Sequence, residues 1–247
     1  MKRRFPVIII FFVLSTFFIM LSVHSEEGIQ GKIVCIDPGH QLHWENAHEP
    51  IGPGAEKTKP CVSSGTRGKI AGWEHEVNLD VGLRLHEILT KKGIVVVMTR
   101  VIPDVHLCNS ERARIANRAG ADLFIRLHCN AGKSHSSFTL YPAEIEGWTD
   151  DIYEESKKAA EIVQKAYAEY TGIPSDGIRS RKDISGFNWS DVPVILPEML
   201  HMQNESDDQL ASTPEFRQKM AEGLANGIIA YLKSEEMKDK PEEKEQE

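Results

Sequence analysis

Four side chains of this 247-residue chain stand where a sheet protein can do chemistry. His40 closes the stretch "KIVCIDPGH" (32–40) and His128 closes "DLFIRLH" (122–128). Glu198 follows "VPVILP" (192–197), and Glu74 opens an apolar helical repeat after a Gly-rich stretch. Two histidines and one carboxylate are the common three-ligand set of catalytic zinc, with the fourth position left to water. A further carboxylate nearby then serves as general base and general acid. Residue type alone does not decide the matter. The chain has ten histidines, and a histidine without convergent partners is usually structural or solvated. His43, His48, His86, His106 and His135 lack such partners in the sequence. His75 and His201 flank the candidates, in places suited to support or to substrate contact. Glu76 competes with Glu74, but on a helix the two point about 200° apart, so only one can face a metal.

Apolar runs rich in β-branched residues predict strands at 32–37, 94–99, 122–128, 138–142 and 192–196. Between them lie helical patterns. The first spans about Glu74 to Lys92, with Val77, Val81, Leu85, Ile88 and Leu89 on one face and Gly93 at its stop. A short helix follows Ser110, and a third runs from about Asp151 to Tyr170. The last begins at "STPE", where Ser212 and Glu215 fit a capping box and Pro214 the first turn. Strands alternating with helices imply an α/β domain with a largely parallel sheet. Such sheets gather their sites outside the carboxyl ends of the strands, where the four candidates fall. Residues 41–72, rich in Gly and Pro and without a period, read as a long loop, and loops of that length are usually functional or mobile.

Residues 1–25 are read separately. Lys2, Arg3 and Arg4 precede an apolar run from Phe5 to Val23, the layout of a signal peptide, or of a membrane anchor where it is not cleaved. Residues 26–31 read as a spacer and 32–233 as the catalytic domain. Residues 234–247 read as a disordered acidic tail. The whole chain carries a net charge of −8 from 29 basic and 37 acidic residues. Residues 1–25 hold three of the basic and none of the acidic ones, so the remainder has a net charge of −11. That balance argues against a nucleic-acid partner and against electrostatic adhesion to an anionic surface. Membrane contact is expected only through residues 1–25. Export permits disulfides. Cys35 and Cys129 sit in apolar strand-like runs and Cys61 and Cys108 in polar loops, so the last two are the expected pair.

"IVCIDPGH", "WEHEVNLDVGLRL", "ADLFIRLHCNA" and "VPVILPEMLHMQNESDDQL" together resemble, in order, the signature blocks of the zinc-dependent N-acetylmuramoyl-L-alanine amidases. The resemblance covers nearly all of residues 32–232. It places the zinc ligands on His40, Glu74 (ahead of Asn78 and Leu79, and so in preference to Glu76) and His128 (ahead of Asn130 and Ala131). It places the catalytic glutamate on Glu198. It also implies a single α/β domain around a twisted, mostly parallel mixed sheet flanked by helices, and one zinc ion per chain. The absence of repeated wall-binding modules resembles the sporulation-associated members of Gram-positive spore formers. Three positions depart from the family pattern. Gln41-Leu42 stands where a glycine pair often follows the first histidine, Pro197 where a valine is usual, and Arg126 where a small residue is common.

The implied activity is hydrolysis, by zinc-activated water, of the amide between N-acetylmuramic acid and L-alanine of the peptidoglycan stem, in the cell envelope or outside the cell. Competing readings are a zinc peptidase acting within the stem, a wall-binding module that has lost catalysis, and a cysteine hydrolase using Cys129. An activator protein acting at the 41–72 loop is left open.

Overall fold

A computed structural model describes residues 28–239. The expected export signal and the end of the acidic tail lie outside that range. The chain runs β1 (Ile33–Pro38), β2 (Glu45–Pro50), β3 (Thr58–Val62), α1 (Glu74–Lys91), β4 (Val95–Met98), α2 (Asn109–Ala119) and β5 (Leu123–Asn130). It continues with β6 (Ser137–Pro142), α3 (Tyr153–Thr171), β7 (Ser175–Arg181), α4 (Ser185–Asn188), β8 (Val194–His201), α5 (Glu205–Ala211) and α6 (Pro214–Asp239).

Six strands form one sheet in the order β4-β1-β5-β8-β6-β7. β4, β1, β5 and β8 are mutually parallel. β6 pairs with β8 in the antiparallel sense and with β7 in parallel. The sheet is therefore mixed and mostly parallel, as expected. Its strands are apolar on both faces because both faces are covered. Val34, Ile36, Leu123, Ile125, Leu127, Cys129 and Ile195 pack in one core with Val77, Val81 and Leu85 of α1, Val163 and Tyr167 of α3, and Leu224 and Ile228 of α6. The alternate residues Cys35, Phe124, Val194 and Leu196 pack in a second core with Ala113 and Ala116 of α2 and Phe187 of α4. Period-two alternation thus sends His128 and Glu198 to the α2 face and Cys129 to the other.

Several expectations are corrected. The 41–72 segment is not an unbroken loop: β2 and β3 pair antiparallel within it. β8 runs on to His201, so Glu198 lies inside the strand and not after it. β5 likewise continues past His128 to Asn130. The residue capping α6 is Thr213, whose hydroxyl accepts from Phe216 N at 3.3 Å, and not Ser212. The proposed spacer is packed, since Ile29 is wholly buried in the main core. α6 continues to Asp239, into the stretch expected to be disordered. The expected disulfide, Cys61–Cys108, is present and ties β3 to the start of α2, while Cys35 and Cys129 are free and buried. No described helix is long and apolar enough to cross a membrane.

Candidate metal centre and cleft

β1 delivers its carboxyl end into Pro38-Gly39-His40. His40 has φ of 60°, the only non-glycine positive φ among the described residues. A bulky residue pays 1–2 kcal/mol for that conformation, and the surroundings hold it there. Arg100 donates to Pro38 O at 2.8 Å and to Gly39 O at 3.1 Å. Arg112 donates to His40 O at 3.2 Å and to Asp37 Oδ1 at 2.6 Å. The His40 ring is oriented in turn: its Nδ1–H donates to Ser63 O at 2.9 Å, which leaves Nε2 to face the site.

His128 comes from β5, next to β1 in the sheet, and its Nδ1 faces the same point. Glu74, the first residue of α1, completes the group. Its Oε1 lies 3.1 Å from His40 Nε2 and 3.1 Å from His128 Nδ1, and those two nitrogens are 3.1 Å apart. Three ligand atoms about 2 Å from one divalent ion would have separations of this size. The carboxylate is fixed from behind. Oε2 accepts from Thr66 N at 2.8 Å, and Oε1 accepts from Cys129 N at 3.0 Å and from Asn78 Nδ2 at 3.4 Å. Backbone room is also reserved. A Cβ on Gly39 would meet His128 Nε2 at 2.3 Å, and one on Gly65 would meet Glu74 Oε2 at 2.7 Å. Glu76 faces away, accepting from Trp73 N at 3.1 Å, where it caps the start of α1.

Glu74 brings a buried negative charge to the two histidines. Burial opposes ionisation of Glu74, but His40 and His128 outweigh it and hold its carboxyl well below the usual range. Burial pushes His128 down to about 4, which keeps the ring neutral and able to ligate. Glu198 pairs in register with His128 across β5 and β8. Burial, then the charge of Glu74, push Glu198 up to about 8 against the pull of Arg181. Its Oε2 is buried and has no hydrogen-bond partner. A carboxyl of that kind, titrating near neutrality, is suited to proton transfer. These groups line a cavity of about 530 Å³, together with Lys59, Ser63, Arg126, Arg181 and Gln203.

The other histidines among the described residues stay outside the group. His75 is buried behind Trp73. His201 bonds Ser136 O at 2.8 Å. His135 pairs with Asp207. Burial raises the Cys129 thiol far above its ordinary value, and the side chain points to the opposite face from His128, which removes the cysteine-hydrolase reading. Sequence reasoning missed Arg100 and Arg112, the two guanidiniums that hold the carbonyls around His40. Nothing local in their sequence distinguishes them from solvated charges.

A profile of the N-acetylmuramoyl-L-alanine amidase family matches residues 34–230. The chain belongs to this family. It is 28% identical over 218 residues to an N-acetylmuramoyl-L-alanine amidase of Mycobacterium tuberculosis, covering 83% of this chain and 88% of that one. It is 26% identical over 221 residues to the germination-specific amidase of Bacillus subtilis, covering 83% and 81%. The crystal structure of the amidase Ami1 from Mycobacterium smegmatis superposes with a TM-score of 0.75 at 30% identity, covering 84% of this chain and 99% of that one. The amidase structures share the single α/β domain and its mixed sheet.

Proposed function

We propose that the chain hydrolyses the amide between the lactyl group of N-acetylmuramic acid and L-alanine of the peptidoglycan stem. The observation that supports it most is the convergence of His40, Glu74 and His128 at 3.1 Å, with Glu198 on the adjacent strand, in a member of the amidase family. In this reading His40 Nε2, His128 Nδ1 and Glu74 Oε1 hold one zinc ion per chain. Bound zinc supplies a Lewis acid for the scissile carbonyl and for water. Glu198 takes a proton from the attacking water and returns it to the leaving amine, with no covalent intermediate. The cavity positions the muramoyl-peptide, and Arg100 and Arg112 keep His40 in its unusual backbone state.

The site of action is the cell envelope or beyond it. This is supported by the wall-amidase relatives and by the Cys61–Cys108 disulfide, a bond of oxidising compartments. Residues 1–25 serve as the export signal or anchor. Mycobacterial relatives match as well as the germination-specific one, so the similarity supports the reaction more than a stage of sporulation.

The test is mass spectrometry of muropeptides incubated with zinc-loaded protein. A new N-terminal alanine with peptide-free glycan is expected, whereas a cut within the stem would replace this reading with the peptidase one. Glu198→Gln should retain zinc and lose at least about 10²-fold in turnover, the scale of a positioned acid–base group.

A further inference from the structure

The wall of the cavity beyond the metal group is unusual in an acidic protein. Lys59 from β3, Arg126 from β5 and Arg181 at the end of β7 all line it. The two carboxylates in the lining, Glu74 and Glu198, belong to the centre already described. The two carboxylates that pair with the arginines, Asp37 and Asp183, lie outside the cavity lining. Arg126 is 2% exposed and donates to Asp37 Oδ2 at 2.9 Å and to Asn109 Oδ1 at 2.7 Å. Arg181 forms a two-pronged pair with Asp183, both contacts at 2.8 Å. Lys59 Nζ donates to the backbone oxygen of Asp183 at 3.1 Å. Asp37 is shared between Arg126 and Arg112.

Two departures from the family pattern meet here. Arg126 stands where a small residue is common, and Lys59 is carried by the hairpin that follows Gln41-Leu42, where a glycine pair often stands. They are tied to each other as well. Asn109, which accepts from Arg126, donates to Cys61 O, next to the disulfide that anchors the hairpin to α2.

We propose that Lys59, Arg126 and Arg181 form a subsite for a free carboxylate of the stem peptide near the scissile bond; the assignment rests on the amidase reading. Arg181 and Lys59 supply the donors within reach of the cavity, and Arg126 supplies a buried positive charge behind them. Burial, followed by the charge of Arg126, lowers the pKa of Lys59, as expected for a cation among cations that an anion would relieve. Charge-assisted hydrogen bonds of this kind are stronger than neutral ones and select an anion over its neutral isostere.

The experiment compares two muramoyl-peptides that are identical except that the stem carboxylates are free in one and carboxamides in the other. Wild type should favour the acid by about tenfold or more in kcat/KM, the scale of one charge-assisted hydrogen bond. In the double variant Lys59→Gln, Arg181→Gln the preference should vanish: the ratio of kcat/KM for the acid to kcat/KM for the amide, measured within that variant, should fall to about one. Lys165→Gln, which makes a charge change on α3 away from the cavity, should keep the preference. Equal turnover of both substrates by wild type, or a preference surviving in the double variant, would overturn the subsite. If zinc-loaded wild type cleaves neither substrate, the amidase reading fails instead. The subsite is then judged by calorimetric binding of the acid and the amide to the Glu198→Gln protein, where equal affinities count against it.

Discussion

Gly39→Ala isolates one contact on which the centre depends. Gly39 does not occupy the left-handed region, so alanine there brings no backbone strain of its own. The added methyl would lie 2.3 Å from His128 Nε2, 2.4 Å from Cε1 and 2.7 Å from Cδ2. Carbon and nitrogen atoms rest at about 3.5 Å, so ring and methyl must separate by about 1 Å. The backbone has little freedom to supply that movement. Gly39 N donates to Leu127 O at 2.9 Å, and His128 lies in a strand paired on both sides. The ring must therefore turn, and its Nδ1 leaves the point it shares with Glu74 and His40. A misplacement of about 1 Å costs about 10²-fold in turnover. Loss of a well-placed ligand orientation costs about 10- to 100-fold in metal affinity. Overpacking takes a further 1–3 kcal/mol, roughly, from stability. The assay is zinc competition against a chromophoric chelator, run beside a thermal melt and muropeptide turnover. Wild-type zinc affinity in a folded Gly39→Ala protein would refute the reasoning, because the ring would then have room that the structure denies it.

Glu74→Gln should weaken zinc retention while Glu76→Ala leaves it intact and costs at most about 1 kcal/mol as a lost helix cap; zinc content by atomic absorption separates the two. Thiol counting on denatured, unreduced protein should find two free cysteines, Cys35 and Cys129, and four would reject the Cys61–Cys108 bond. Burial disfavours the Asp37 carboxylate, but Arg112, Arg126 and the Thr99 hydroxyl outweigh it and hold its pKa far below the ordinary range. Its folded form is thus the charged one. The stabilisation is complete above the unfolded value of about 4 and is lost as the pH falls below it. Asp37→Asn should therefore destabilise the protein by about 3–5 kcal/mol near neutrality and should flatten the fall in stability between roughly pH 4 and 2, measured by urea titration across that range.

The parallel strands were legible because their apolar runs are unbroken, as double burial requires. The helices were legible from a four-residue recurrence and a glycine stop. β7, "SDGIRSR", was not, since an exposed edge strand with a glycine inside it carries no apolar signal. β2 and β3 escaped for a related reason: their residues are mostly polar, and the disulfide with its neighbouring contacts holds them where an apolar face would otherwise be needed. His40 and Glu74 could be picked out because they stand at the end of an apolar strand run and the start of an apolar helical repeat, and His128 because it closes an apolar run, although its strand continues to Asn130. Arg100 and Arg112 could not, because their targets are backbone oxygens far away in sequence. The family resemblance favoured Glu74 over Glu76, and in the structure Glu74 lies with the two histidines while Glu76 is occupied with the backbone of Trp73.

β1, β5 and β8 are neighbours of common direction, and the sheet reverses at β6. The histidines of the metal group and Glu198 are thus spaced by the hydrogen-bond ladder itself, and Glu74 by the start of α1. Lys59 and Arg181 arrive from beyond that frame, on a hairpin and an edge strand. Changing the charge of Lys59 or Arg181 would therefore alter the wall of the cavity while the spacing of His40, Glu74, His128 and Glu198 stays with β1, β5, β8 and α1.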